Sequence, residues 1–368
     1  MKFNIERDAF LDGLQIVSGV VDRRHNLPIL GNVLFVLEGS RLTMTATDME
    51  VELVAWMEVE GIGDGETTLP AKKILDIVKS LPRAGKISCE IADGKAGIVC
   101  GRSKFSLSTL PAQEYPTSGE FEADARLVIK QSGLKALFEL TQFAMAQQDV
   151  RYYLNGMLLD LRGGELKAVT TDGHRLAIAE QEVSTEKEER RQWIVPRKGV
   201  MELGKLIGQG DETVALNMNK NGIQVELPQV RFTSKLIDGN FPDYERVVPK
   251  ESQCDKEVKA DKEALRQSLA RVAILSNEKY RSVRLNLKEN SWGVVANNPE
   301  AEEASDEVEV EYEGEDLEIG FNVAYLAEAL ANLPGDEAVI LLSDSSSSCV
   351  IKPVGTDACR FVVMPMRL

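Results

Sequence analysis

The stretch Thr67-Thr68-Leu69-Pro70-Ala71-Lys72-Lys73-Ile74-Leu75 is answered by Trp193-Ile194-Val195-Pro196-Arg197-Lys198-Gly199-Val200-Met201, with the prolines 126 residues apart. Glu318-Ile319-Gly320-Phe321-Asn322-Val323-Ala324-Tyr325-Leu326 follows after a further 126. Self-similarity at a fixed period decides architecture before any motif is weighed. Three more correspondences keep the period. Leu42-Thr43-Met44-Thr45-Ala46-Thr47-Asp48 matches Leu166-Lys167-Ala168-Val169-Thr170-Thr171-Asp172, with Trp292 to Asn298 in the third slot. Phe105-Ser106-Leu107-Ser108, Phe232-Thr233-Ser234-Lys235 and Phe361-Val362-Val363-Met364 close the units at spacings of 127 and 129. Phe3 to Ser18, Leu127 to Gln142 and Val258 to Ala273 open them, each as an extended run followed by a helix. The expected domains are therefore residues 1–120, 121–250 and 251–368.

Within each unit the periods separate helix from strand. Phe10, Leu14 and Val17, then Leu134, Leu137 and Phe138, then Leu265, Leu269 and Val272 recur at helical spacing. A second helix is expected after Pro70, Pro196 and Asn322, since proline suits a first helical turn. These helices should end near Leu81-Pro82, Ile207-Gly208 and Leu333-Pro334. The remainder alternates: Val308, Val310 and Tyr312 interleave with Glu307, Glu309, Glu311 and Glu313, as in a strand with one wet face. Asp93-Gly94, Gly163-Gly164 and Asn221-Gly222 mark hairpin turns. Each unit is expected to be α+β, two helices covering the apolar face of antiparallel sheet.

Composition narrows the class. Of 368 residues, 43% are hydrophobic and 28% charged, which excludes a disordered or fibrous chain. No apolar stretch reaches membrane-spanning length and Met1-Lys2-Phe3-Asn4-Ile5-Glu6 has no signal core, so no membrane partner and a cytoplasmic location are expected. Cys89, Cys100, Cys254, Cys349 and Cys359 include no CxxC pair, which favours reduced, packed thiols over disulfides or zinc. Net charge is −16, an argument against nucleic acid until its distribution is counted. Residues 251–368 carry 12 basic against 23 acidic groups, and Glu300 to Glu318 alone has 11 acidic and no basic ones. A basic surface elsewhere is compatible with that.

Three sheet-bearing units in series leave free sheet edges, which proteins cover or pair. Joining a second copy head to tail gives six units. Twelve helices spaced about 8–10 Å would line a circle of roughly 100–120 Å, leaving an opening over about 20 Å wide, enough for a nucleic acid duplex. The helices carry Arg7, Lys72, Lys73, Lys79, Lys135, Arg197, Lys198, Lys205, Lys262, Arg266 and Arg271. Such a run is also the composition of a solvated face.

Six segments carry a resemblance over the whole chain: Leu27 to Asn32, Gln148 to Met157, Thr171 to Leu176, Phe241 to Tyr244, Ile274 to Lys279 and Val363 to Leu368. In these the chain resembles the bacterial DNA polymerase III β subunit, the sliding clamp family. The resemblance implies a head-to-tail homodimeric ring of six domains that encircles double-stranded DNA without sequence choice. It further implies tethering of the replicative polymerase catalytic subunit, an ATP-driven clamp loader, and other clamp-binding replication and repair proteins. The implied peptide groove comprises Leu154, Thr171, Gly173, His174, Arg175, Leu176, Pro242, Arg246, Val247, Tyr280, Asn322, Tyr325, Ser346, Val362, Val363, Met364, Pro365, Met366 and Arg367. Methionine and proline beside leucine and valine suit an adaptable apolar pocket, with Arg175, Arg246 and Arg367 expected at its rim. Ser345 to Ser348 departs from the family, which usually has an apolar residue among these serines, so the wall near Ser346 is expected to be more polar. Arg24, Gln148, Arg151, Tyr152 and Tyr153 correspond to DNA-touching positions, beside the helical Lys72, Lys73, Arg197, Lys198 and Arg266. Arginine and tyrosine suit phosphates and exposed bases, although Tyr152-Tyr153 also reads as the start of an apolar strand with one ring buried. Phe105 and Leu107 are expected to face Ile274 and Leu275 of a second copy, by sheet pairing between the end of the first unit and the start of the third.

Catalytic motifs are absent: there is no GxxxxGK[ST], HExxH or GxSxG, and Gly61-Ile62-Gly63-Asp64-Gly65 lacks dinucleotide spacing. His174 beside Asp172 has no nucleophile or metal ligand at a useful spacing. No catalytic residue, metal or cofactor is expected. Asp48 and Asp172, at equivalent positions, read as turn aspartates. The alternative to a DNA-encircling clamp is a repeat-built peptide-binding scaffold that does not bind DNA.

Overall fold

The computed structural model describes residues 1–21, 27–185 and 189–367. Each repeat twice runs a strand directly into a helix. In the first, Lys2–Glu6 leads into α1 (Arg7–Ser18) and Gly65–Pro70 into α2 (Ala71–Ser80). In the second, Ala125–Lys130 leads into α3 (Gln131–Thr141) and Arg191–Pro196 into α4 (Arg197–Leu206). In the third, Lys256–Asp261 leads into α5 (Lys262–Ala273) and Leu317–Asn322 into α6 (Val323–Asn332). Pro70 and Pro196 are the last strand residues, opposite Asn32 and Gly156, and not members of the first helical turn. A ring that offers no N–H ends a strand without breaking its ladder and starts the helix.

The apolar helix faces enter the core as their spacing requires. Phe10, Leu14, Val17, Leu134, Leu137, Leu265 and Leu269 are fully buried. The first residue of each opening helix ties down the end of its repeat's second helix. Arg7 Nε donates to Val78 O (2.9 Å) and Nη2 to Lys79 O (2.8 Å). Lys262 Nζ donates to Leu333 O (2.9 Å), and Gln131 Oε1 accepts the Gly208 N–H (2.8 Å). Cations at helix C-termini satisfy orphan carbonyls and oppose the negative dipole end. Arg7 and Lys262 are thereby structural, and not the free basic groups that helical spacing suggested.

Among the described residues the strands form sheets of five, nine, eight and four. The nine-stranded sheet pairs Val51–Glu58 of the first repeat with Val230–Lys235 of the second. The eight-stranded sheet pairs Arg175–Glu182 of the second with Cys359–Val363 of the third. The middle repeat is thus shared between two compact units. One is Met1–Gln131, Ser184–Glu186 and Met201–Leu236; the other is Ser132–Val183, Lys187–Val200 and Ile237–Leu368. In the first unit the five-stranded sheet ends at Ser103–Ser108. In the second unit the four-stranded sheet ends at Glu303–Glu309. The start of the third repeat, Lys256–Asp261, is the end strand of the eight-stranded sheet: it pairs with Glu337–Leu342 on one side and meets Glu311 through a single bridge at Lys259 on the other.

Asp93-Gly94 and Gly163-Gly164 turn with positive φ at both residues, as hairpin turns demand. Asn221-Gly222 does not. There Asn219 Oδ1 closes the turn by accepting the N–H groups of Asn221 and Gly222, both at 2.8 Å.

Candidate functional site

Thr171-Asp172-Gly173-His174-Arg175 is the tight connection between strands Glu165–Thr171 and Arg175–Glu182. Asp172 Oδ1 accepts the N–H of His174 (2.9 Å) and of Arg175 (3.0 Å), so this aspartate shapes a turn. Gly173 has φ +88°, and a Cβ there would stand 2.8 Å from the Arg151 guanidinium. Glycine takes this left-handed backbone without strain and lets Arg151 lie across it. Beyond the turn Leu176 lies opposite Val362, both buried. The C-terminal segment is held by Met364 N–H to His174 O (2.9 Å) and Met366 N–H to Gly320 O (2.8 Å). Between tail and turn opens a groove of about 230 Å³. Its lining is Arg151, Leu154, Thr171, Gly173, Arg175, Leu176, Phe241, Pro242, Tyr244, Val247, Val362 and Met364.

Nine of these residues carry the expected assignment. Phe241 and Tyr244 do not, although Phe241-Pro242-Asp243-Tyr244 is one of the motifs in the sequence and only its proline was carried over. Arg151, expected on DNA, lines the groove: it clasps Asp149 (2.9 and 3.0 Å) and donates to Asp172 O (3.1 Å). That clasp holds the Asp149 carboxyl down at about 2.

Several of the assigned residues are engaged by neighbours in or around this lining. Val363 is fully buried and pairs with Arg175 and Cys349, because side chains alternate along a strand and only Val362 and Met364 reach the groove side. Arg175 lines the groove with its charge already engaged: it is bound to Asp172, Glu328 and Phe143 O and stacks over Tyr325. His174 lies parallel to Tyr325 at 6.0 Å. Asn322 caps α6 by accepting the Ala324 N–H and donates to Tyr280 O at 3.3 Å. Ser346 turns away to Asp344, whereas Ser348 Oγ lies 2.9 Å from Met364 Sδ and supplies the polar contact expected of its neighbour. Arg246 pairs with Asp243 in solvent, and Pro365, Met366 and Arg367 continue the tail past the lining.

Tyr244 is the groove's back wall, and its hydroxyl is anchored below the surface. It donates to Asp160 Oδ2 at 2.8 Å, beside Arg190 (2.7 and 3.1 Å) and Gln192 (3.1 Å). Burial pushes the Asp160 carboxyl up, but the Arg190, Tyr244 and Gln192 bonds outweigh it and its pKa falls below the ordinary value. Ionised Asp160 therefore adds stability above the unfolded-state pKa of about 4, lost as pH falls through the depressed folded value. Asp160→Asn should cost about 2 kcal/mol in urea unfolding at pH 7, with Arg190 left half-exposed and facing only the more distant Glu245 at 4.0 Å. The difference from the parent should shrink on acidification; a constant difference down to pH 3 would contradict it.

Of the DNA candidates, Arg24 lies outside the described residues. Tyr152 and Tyr153 form a 3-10 turn with Leu154 and not a strand; Tyr152 is exposed and Tyr153 packs on the core, with the rings edge to face at 5.7 Å. Gln148 is exposed at φ +57°. Lys72 and Lys73 are exposed on α2 and Lys198 is half-buried on α4. Arg197 donates to Met145 O (3.1 Å) and Arg266 pairs with Glu263. Phe105 is half-buried and Leu107 buried on the Ser103–Ser108 edge. Ile274, just past α5, is 78% exposed beside half-buried Leu275.

Three family models match in succession: DNA polymerase III beta subunit, N-terminal domain, over residues 1–118, central domain over 128–243 and C-terminal domain over 245–367. A beta sliding clamp of Pseudomonas putida is 49% identical, and that of Escherichia coli K12 44%, each over the full length of both chains. The crystal structure of the DNA polymerase III subunit beta from Pseudomonas aeruginosa superposes with a TM-score of 0.97 at 49% identity, covering both chains completely.

Proposed function

We propose that this chain, which belongs to the DNA polymerase III β subunit family of sliding clamps, closes with a second copy into a ring around duplex DNA and tethers its partners through the groove beside Met364. It is a DNA sliding clamp, a processivity subunit that carries no catalysis of its own. Domains at 1–120, 121–250 and 251–368 are supported by the three successive family matches.

The observation that carries the ring is the chemistry of two sheet-end strands, one in the first repeat and one in the third. Ser103–Ser108 brings Lys104, with Arg102 just before it, while Glu303–Glu309 brings Glu303, Asp306, Glu307 and Glu309. Pairing either edge with itself would set like charges opposite one another; pairing one with the other sets opposites together. That selects a head-to-tail contact, which closes when two copies meet. Ile274 and Leu275 packed on Phe105 and Leu107 would supply its apolar centre.

DNA inside such a ring is held by phosphates and without sequence choice. Lys72, Lys73, Arg197, Lys198 and Arg266 on the helices, with Gln148, Arg151, Tyr152 and Tyr153, are assigned to it. The partners are the replicative polymerase catalytic subunit, the clamp loader and other replication and repair proteins, and the location is the bacterial cytoplasm. The full-length match to sliding clamps, with exposed Lys72, Lys73 and Lys79 on one helix, disfavours a peptide scaffold without DNA. Topology separates them: a ring stays on circular DNA and runs off a linear end.

A further inference from the structure

The repeat that builds the groove builds a second cleft of the same construction in the other unit. Thr47-Asp48-Met49-Glu50-Val51 reproduces the Thr171 to Arg175 turn bond for bond. Asp48 Oδ1 accepts the N–H of Glu50 (2.9 Å) and Val51 (2.7 Å), as Asp172 does for His174 and Arg175. Thr47 Oγ1 accepts the Met49 N–H and donates to Val51 O, both at 2.9 Å, as Thr171 does for Gly173 and Arg175. Met49 even takes φ +74° where Gly173 takes +88°. After the turn Glu52 pairs with Thr233 as Leu176 pairs with Val362. A cavity of about 220 Å³ opens there.

The chemistry of the floor is inverted. Leu176 and Val362 in the groove become Glu52 and Thr233 in the cleft, and Met364 becomes Lys235. Glu52 is 4% exposed and lines the cavity. The donors reaching its carboxylate come from Ser118, whose N–H lies 2.8 Å from Oε2. Burial outweighs these bonds and the field of Arg231, so the carboxyl is pushed up from its ordinary value. A carboxylate can accept about four bonds, and this one is undersupplied. At the mouth Glu50 meets Lys235 at 3.3 Å with both side chains more than half exposed, a contact that yields easily to a competitor.

An apolar anchor seated here would cover a carboxylate and give it no partner. A cationic side chain would form charge-assisted bonds to it in a site shielded from water. We infer that this cleft binds a lysine or arginine side chain presented by an extended peptide, independently of the apolar groove.

The probe is a fluorescent N-acetyl Gly-Ser-Arg-Ser-Gly amide, compared with the same peptide carrying neutral citrulline for arginine, on the full-length protein. The arginine peptide should bind at least about tenfold more tightly, the scale of one charge-assisted bond. Glu52→Gln should remove that preference. Deleting Met364 to Leu368 should leave it intact, which separates this cleft from the groove. In the unaltered protein the methyl resonances of Met49 and Val51 should shift on binding, a readout that does not depend on how the variant folds. Equal affinity for the two peptides, or shifts at Leu176 and Val247 with none at Met49 and Val51, would overturn the assignment.

Discussion

Deletion of Met364 to Leu368 is expected to weaken binding of a polymerase-derived peptide by at least about thirtyfold, the equivalent of losing one anchor worth 2 kcal/mol or more. Met364 is the tail's contribution to the groove lining, and the tail is held across it by backbone bonds to His174 O and Gly320 O. Removing it opens one wall to water and leaves Leu176 and Val362 without cover. The cut belongs after Val363, because Val363 is fully buried and pairs with strands on both sides. Fluorescence anisotropy measures the affinity, with sedimentation to verify that the dimer persists. Unchanged affinity in a truncated dimer would remove the groove from the account.

Ile274→Ala with Leu275→Ala should convert the dimer to monomers at micromolar concentration. Ile274 is a large aliphatic side chain 78% exposed at the end of α5, an arrangement that covering by a second copy would explain. Truncating two packed aliphatic residues costs about 4 kcal/mol at each interface, close to a thousandfold in affinity. A head-to-tail pair has two such interfaces, so both weaken together. Sedimentation velocity across a dilution series reads the outcome directly; a dimer as stable as the parent would place the interface elsewhere.

Much of the fold was legible because its information is local and repeated. The positions of Pro70, Pro196 and Asn322 and the Phe10-Leu14-Val17 type of spacing locate the six α-helices found among the described residues, and the Thr-Asp turns recur at corresponding positions. What escaped depends on which strands become neighbours. That Lys256–Asp261 ends the eight-stranded sheet while Glu303–Glu309 ends a separate four-stranded one is a matter of strand order that alternation cannot reveal. The bond from Tyr244 to Asp160 joins residues 84 apart and makes a groove wall out of a tyrosine with no local mark of that role. The tail shows the reverse fault. Val362 to Arg367 reads as one motif, yet strand alternation turns Val363 into the core. Arg151 was legible as a cation but not as the residue that lies over Gly173, since only the folded turn shows why a side chain is missing there.

A clamp differs from other DNA-binding proteins in topology: it is linked to the duplex and leaves only through an end. The protein, loaded onto nicked circular DNA with the clamp loader proposed as its partner and freed of unbound chain by gel filtration, should co-elute with the circle at a salt concentration that strips ordinary phosphate contacts. A single restriction cut should then release it, because a closed ring that slides without sequence choice leaves through a free end. Equal retention before and after the cut would mean that the protein grips DNA without encircling it, and no retention on the uncut circle would mean that it is a peptide scaffold and not a clamp.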